Sequence, residues 1–103
     1  MIRVTTAVEM FEAVRAHYET ADFIIKAAAV GDYRPLHVSE QKIKKEGDSL
    51  RVEFVKNPDI LAYVGTHKQP HQVLCGFAME TQNLLENAMG KLAAKHCDMI
   101  VAN

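Results

Sequence analysis

Charged side chains that could bind an anionic ligand recur along this sequence. The segment "AAAVGDYRP" places Asp32 in a tight turn directly after an apolar run, and "QKIKK" follows with three lysines. An acid at the end of a strand can bind a ribose hydroxyl, the edge of a base or a magnesium-bound water, although Gly-Asp pairs also suit ordinary turns. A lysine-bearing loop can close over a charged substrate, and a solvated charge run is the alternative.

A helix start is the second candidate for binding an anion. In "VKNPDIL", Asn57 is predicted to cap a helix whose first residue is Pro58, with Lys56 beside it. The unpaired N–H groups and partial positive charge of a helix N-terminus attract anions. A helix start without any ligand is the alternative, because such caps are common and Asp59 would itself answer the helix dipole.

Lys91 and Lys95 are the third candidate. They are four residues apart, so they share a helix face, and they lie at the edge of the apolar stripe of that helix. Two ammonium groups in this position could hold a polyphosphate. Two lysines whose aliphatic stems merely cover core surface are the alternative.

Metal and redox chemistry receive little support from the sequence. His67 and His71 in "HKQPH" have the spacing of two metal ligands on a helix, but Pro70 between them disfavours a helix, so an exposed turn is predicted. Cys75 and Cys97 show no metal-ligand spacing and are predicted to be buried free thiols in a reducing compartment. The glycine-rich signatures of dinucleotide and P-loop enzymes do not occur.

The elements that must position these residues alternate between strand and helix. Strands are predicted at 2–5, 22–30, 49–55, 72–78 and 98–103, and helices at about 7–19, 58–66 and 82–96. Thr6, with Glu9 three residues on, is a capping-box signature for the first helix. Residues 31–47 have no clean period and are predicted to be a long, partly extended loop.

This alternation predicts an α/β fold. We expect a three-layer, Rossmann-like, mostly parallel sheet with helices on both faces. In open sheets of this type, ligands bind outside the carboxyl ends of the strands. That rule points to residues 31–34 after the second strand, 77–81 after the fourth, and Asn103 after the last.

Composition limits the class of protein. A chain of 103 residues, 49% hydrophobic and 24% charged, forms at most one domain with a modest core. Its formal net charge of −1 argues against broad binding to nucleic acid or to an acidic membrane. No apolar run reaches the ~18 residues of a membrane span and no signal peptide is seen, so we expect a cytoplasmic protein.

Five motifs together resemble one known family. "AAAVGDYRP", "KIKK", "VKNPDIL", "GFAMET" and "CDMIVAN" are similar, in order and spacing, to the synthetase domain of bacterial phosphopantothenoylcysteine synthetase. The resemblance covers nearly the whole chain and implies that residues 1–103 are the central, nucleotide-binding part of such a domain. The implied reaction is ligation: the carboxylate of 4′-phosphopantothenate attacks the α-phosphorus of CTP, and cysteine then opens the acyl cytidylate.

The resemblance also implies roles for single residues. Asp32 would contact the nucleotide, Phe77 of "GFAMET" would contact it as an aromatic, and Lys91 and Lys95 would belong to the CTP site. Lys42, the first lysine of "KIKK", would bind the nucleotide and help the acyl chemistry from a flexible loop. The helix start would pack on the nucleotide through its backbone, using Pro58, Asp59, Ile60 and Leu61.

The implied cofactor is Mg²⁺ bound with CTP, whereas FMN would belong only to a fused decarboxylase. The implied partners are CTP, 4′-phosphopantothenate and cysteine, and the parent enzyme would be a homo-oligomer.

The family also has an upstream glycine-rich segment, an asparagine that stabilises the acyl intermediate and a downstream dimer region, none of which matches this chain. We therefore expect residues 1–103 alone to be inactive. The alternatives are a non-catalytic nucleotide- or phosphate-binding module and an interaction domain with solvated lysines.

Overall fold

The computed structural model describes residues 1–36, 44–47, 49–78 and 83–102, which form three α-helices and seven strands. The helices are α1 (Ala7–His17), α2 (Ile60–His67) and α3 (Leu84–Ala94), and a 3₁₀ turn at Tyr18–Thr20 follows α1. The strands are β1 (Phe23–Lys26), β2 (Tyr33–Pro35), β3 (Lys44–Glu46), β4 (Ser49–Arg51), β5 (Phe54–Lys56), β6 (Val73–Ala78) and β7 (Met99–Ala102).

Three of these strands form a parallel sheet in the order β1, β6, β7. Ile24 pairs with Leu74, and Gly76 pairs with Ile100. Parallel neighbours need a crossover connection, and the segments containing α2 and α3 supply one between each pair of strands. The remaining strands form two antiparallel pairs, β2 with β5 and β3 with β4. The predicted α/β fold with a mostly parallel sheet is thus confirmed.

All three helices contribute to a hydrophobic cluster over one face of the parallel sheet. Its buried members are Tyr18, Leu61, Val64, Leu74 and Cys97. Val14 of α1 and Leu92 of α3 pack against them. On the other face, Phe23, Ile25 and Met99 are 72%, 67% and 56% exposed. A second helix layer, as predicted for a three-layer fold, is therefore not found among the described residues.

Three predicted strands differ from the observed ones. Residues 2–5 are not a strand, because a strand needs a neighbour for its backbone groups and none of the described strands pairs with this segment. The predicted strand 22–30 stops at Lys26, after which the chain leaves β6. The predicted strand 49–55 is divided into β4 and β5, because β4 pairs with β3 whereas β5 pairs with β2.

Two local predictions are confirmed, the cap of α1 and the buried free thiols. Thr6 Oγ1 accepts a hydrogen bond from Glu9 N at 3.1 Å, as the capping box requires. Cys75 and Cys97 are buried free thiols, and burial raises the pKa of Cys97. Within the described ranges, no helix combines the length and the apolar character needed to span a membrane.

Candidate functional site

A cleft of about 390 Å³ opens at the carboxyl end of β1, between the start of α2 and the last turn of α3. Its volume is in the range of small-ligand sites. The lining includes seven of the nine site residues predicted from the sequence, namely Asp32, Pro58, Asp59, Ile60, Leu61, Lys91 and Lys95. Three segments that are distant in sequence therefore converge on one place, beside residues 31–34, which are one of the positions to which the carboxyl-end rule points.

Asn57 fixes the loop that carries Asp32. Its side-chain amide donates to Gly31 O at 2.8 Å, and its backbone N–H donates to Asp32 O at 2.7 Å. Its Oδ1 accepts from Arg34 Nη1 at 3.0 Å, and the same Arg34 atom donates to Lys56 O at 3.0 Å. The loop after β1 is thereby tied to the segment that leads into α2.

The cap of α2 is Asp59, so the prediction that Asn57 caps this helix was wrong. Asp59 Oδ1 accepts from Ala62 N at 3.1 Å, and the helix begins at Ile60 rather than at Pro58. The physical reason is that the amide of Asn57 is already engaged in the long-range bonds to the preceding loop.

Asp59 also forms an ion pair with Lys95, across the groove between α2 and α3. Burial works to raise the pKa of the Asp59 carboxyl. The hydrogen bonds from Lys95 and Ala62, with the charges of Lys95 and Lys26, outweigh burial and hold this pKa below its usual value. Asp59 is consequently a carboxylate that keeps Lys95 at the start of α2.

Close packing of α2 against the end of α3 brings both helix lysines to the cleft. A Cβ added to Gly65 would lie 1.9 Å from Lys95 O, so only a glycine permits this approach. Lys91 Nζ donates to Phe77 O at 2.7 Å, at the carboxyl end of β6. The shared helix face predicted for Lys91 and Lys95 is confirmed by their common place in the lining.

Phe77 is the one predicted site residue among those that the structure describes that does not line the cleft. Phe77 is half-buried, and strand alternation places it on the sheet face opposite Gly76, which packs against Leu61. Phe77 thus reaches Lys91 through its carbonyl, and contact between its ring and a nucleotide stays a prediction. Lys42 lies outside the described residues, as do residues 79–81 and Asn103.

Lys26 is a cleft residue that the sequence analysis missed. It ends β1, is half-buried, and donates from Nζ to Ala28 O at 2.9 Å. Burial, followed by the charge of Lys91 and then that of Lys95, lowers the pKa of Lys26 despite the opposing charge of Asp59. The available signal was a single charge within "FIIKAAAV", because a lysine in an apolar strand must reach water or a partner.

The charge of the cleft favours an anion. Its lining carries four lysines, which are Lys26, Lys56, Lys91 and Lys95, against the two aspartates Asp32 and Asp59. Four positive and two negative groups leave a formal excess of two positive charges, in a chain whose net charge is −1. This concentration of cations, rather than the overall charge, distinguishes the site.

Histidines do not build a metal site in the part of the chain that the structure describes. No group of three or more His, Cys, Asp or Glu side chains suited to an ion occurs there. His67 ends α2 and stacks on Tyr63 with ring centroids 4.2 Å apart. His71 follows in an exposed turn, which agrees with the interpretation favoured from the sequence.

Comparison with known proteins identifies relatives that match nearly the whole chain. The chain is 47% identical over 106 residues to the coenzyme A biosynthesis bifunctional protein CoaBC of Vibrio parahaemolyticus, and 44% identical over 105 residues to that of Escherichia coli K12. Each match covers 99% of this chain and 26% of the relative, so the chain spans about a quarter of these proteins.

A solved structure agrees with the sequence matches. The crystal structure of the C-terminal domain of the coenzyme A biosynthesis bifunctional protein CoaBC superimposes with a TM-score of 0.81 at 41% identity, over 99% of this chain and 46% of that one. The family model for the DNA/pantothenate metabolism flavoprotein C-terminal domain matches residues 1–103. The chain therefore belongs to the family of DNA/pantothenate metabolism flavoprotein C-terminal domains.

Proposed function

We propose that this chain supplies the CTP site of a phosphopantothenate–cysteine ligase in coenzyme A biosynthesis. The observation that carries the proposal is the convergence of Asp32, the start of α2, Lys91 and Lys95 on one cation-rich cleft. The relatives named for coenzyme A biosynthesis support it at the level of the pathway.

The lysines of α3 would bind the triphosphate of CTP. Lys91 rests on the neutral carbonyl of Phe77, so its ammonium keeps donor capacity for a phosphate oxygen. Lys95 is held by Asp59, and a phosphate group of higher charge would compete with that carboxylate for the ammonium. Charge-assisted hydrogen bonds of this type are stronger than neutral ones, so the two lysines would contribute much of the affinity.

The carboxylate of Asp32 fits the expected need for Mg²⁺. Magnesium keeps several waters and takes one or two protein carboxylates together with substrate phosphates, rather than a complete protein cage. Asp32 lines the same cleft as the lysines and is the residue that we assign to this role or to a hydroxyl of the ribose. When bound with CTP, the ion would supply further neutralisation of phosphate charge.

The proposed reaction balances in two steps without a protein nucleophile. A carboxylate oxygen of 4′-phosphopantothenate bonds to the α-phosphorus of CTP, and the bond to pyrophosphate breaks. The amine of cysteine then attacks the acyl carbon, an amide forms, CMP leaves and the amine loses a proton. The cleft lysines would offset the negative charge at phosphorus during the first step, and by resemblance Lys42 would assist the acyl chemistry.

Thermal unfolding with CTP tests the proposal. We expect CTP with Mg²⁺ to raise the melting temperature more than ATP with Mg²⁺ does, because the predicted site is one for CTP. A ligand at ~100 times its Kd adds roughly 2.7 kcal/mol, which is several degrees for a domain of this size. Alanine at both Lys91 and Lys95 should abolish most of the shift.

The matched control is Arg15→Ala, which also removes one cation but lies on α1 in a surface pair with Glu12. This variant should keep the full response to CTP. Equal shifts with CTP, ATP and inorganic tripolyphosphate would instead favour the alternative, a nucleotide- or phosphate-binding module. No shift at millimolar CTP would contradict the proposal.

A further inference from the structure

Lys26 lies at the border between two cavities. On one side is the polar cleft, and on the other is a pocket of about 270 Å³ bounded by α1, β1 and α2. Ile60 and Leu61 line both spaces together with Lys26. The other described residues of the smaller pocket are apolar, so Lys26 is its one charged lining residue in the described part of the chain.

The surroundings of Lys26 leave its charge poorly compensated. Its ammonium donates to a neutral acceptor, Ala28 O, within its own segment. The carboxylate whose charge acts on it, Asp59, is already paired with Lys95. Lys91 presents a second ammonium from α3, and Lys56 and Asp32 also line the cleft. A half-buried cation facing other cations is unfavourable unless an anion joins them.

We propose that Lys26 is a third phosphate-binding lysine of this cleft, which holds the anionic group of the ligand at the inner end where the cleft meets the apolar pocket. The inference rests on the proposed nucleotide site and deepens it by naming a further binding residue. It also predicts the shape of the preferred ligand, a polyphosphate whose inner phosphate lies next to an apolar surface.

A purely structural role makes a different prediction. If Lys26 only anchored the loop after β1 through Ala28 O, replacing it would lower stability and would change affinity for all ligands alike. If Lys26 binds phosphate, its replacement should reduce affinity more for ligands that carry more phosphate charge, because each ionic contact contributes to the binding free energy.

The test compares Lys26→Met with the control Arg15→Met by isothermal titration calorimetry, using CMP, CTP with Mg²⁺ and inorganic tripolyphosphate. We expect the Kd of Lys26→Met for CTP and tripolyphosphate to rise roughly 10- to 150-fold, with a smaller change for CMP. The control should match the parent chain, since Arg15 is a surface residue on α1.

Proton uptake provides a second readout. Anion binding favours the charged form of a lysine whose pKa is lowered, so the parent chain should take up protons when tripolyphosphate binds at an alkaline pH below the ordinary lysine pKa of 10.5. Titrations in two buffers of different ionisation enthalpy measure that uptake. Lys26→Met should take up fewer protons than the parent chain under the same conditions.

The outcomes separate this inference from the proposed function. Unchanged affinity of Lys26→Met for tripolyphosphate and CTP would overturn the role of Lys26, while CTP binding by the parent chain would keep the proposed function. Lys26-dependent binding of tripolyphosphate without any preference for CTP would support Lys26 and contradict the nucleotide assignment. Failure of the parent chain to bind tripolyphosphate would overturn the inference.

Discussion

At the scale of single residues, Asp59 combines two roles that link stability to ligand binding. It caps α2 through Ala62 N and pairs with Lys95 across the groove to α3. A phosphate that takes Lys95 must therefore compete with a carboxylate that also answers the dipole of α2. Asp59 thus keeps Lys95 in position at the cleft when no ligand is bound.

Lys95→Met should change the pH dependence of stability. The pKa of Asp59 lies below its ordinary value of 3.8, so its stabilising contribution is present above that pH and is lost as the pH falls through the lower value of the folded protein. Without Lys95, burial should raise the pKa of Asp59, so the Asp59 carboxylate should contribute less to the stability of the fold. In urea unfolding from pH 3 to 7, the free energy of unfolding of Lys95→Met should be lower than that of the parent chain above about pH 4. The difference should become smaller as the pH falls further.

Lys56→Met is the matched control, because it removes a cation from the same cleft that is not among the groups holding down the pKa of Asp59. Its stability should follow the pH dependence of the parent chain. Parallel curves for Lys95→Met and the parent chain over the whole range would contradict the role given to the Asp59–Lys95 pair.

At the scale of elements, the approach of α2 to the end of α3 sets the width of the cleft. The contact is made by the backbone at Gly65 and the carbonyl of Lys95. Lys91 and Lys95 lie at the end of α3, close to this contact. Any shift of α3 therefore moves both of the lysines that are predicted to bind phosphate. Helix packing therefore determines the distance between these lysines and the start of α2.

Gly65→Ala should destabilise the fold, and Gly90→Ala should not. A Cβ at Gly65 meets backbone at 1.9 Å, whereas a Cβ at Gly90 in α3 meets nothing within 4 Å. We expect Gly65→Ala to lose about 1–3 kcal/mol in urea unfolding, and Gly90→Ala to gain about 0.5–1 kcal/mol from helix propensity. Equal stabilities of the two variants would disprove the proposed contact.

At the scale of the whole molecule, the described sheet has one covered face and one open face. The open face exposes Phe23, Ile25, Met99 and Val101. The solved relative of the same fold is about twice as long as the aligned part, since the match covers 46% of that chain. A second helix layer is not found among the described residues, and the resemblance implies that the family has segments that match nothing in this sequence.

A protein consisting of residues 1–103 alone should therefore fail to make phosphopantothenoylcysteine. Loss of one preorganised donor to an acyl intermediate typically reduces the rate ~10²–10³-fold, and loss of the surface that binds the second substrate removes positioning as well. The measurement is pyrophosphate release with 4′-phosphopantothenate, cysteine, CTP and Mg²⁺, with a full-length relative assayed alongside. Turnover of about 1 s⁻¹ or more would show that the unmatched segments are dispensable.

The order of elements and the identity of most cleft residues were determined by the sequence itself. Apolar periodicity is a local property, so it located the three helices and the parallel strands. The carboxyl-end rule then marked residues 31–34, and with them Asp32, as a position for binding a ligand. The four-residue spacing of Lys91 and Lys95 put them on a common face, which α3 turns toward the cleft.

Other features were decided by contacts between segments far apart in the chain. Asn57 is a good local cap, but bonds to Gly31 and Arg34 engage its side chain, so Asp59 caps α2 instead. Lys26 became a cleft residue because α3 brings Lys91 and Lys95 to the end of β1. Backbone pairing and charge clustering depend on which neighbours fold alongside, and only the tertiary structure specifies those neighbours.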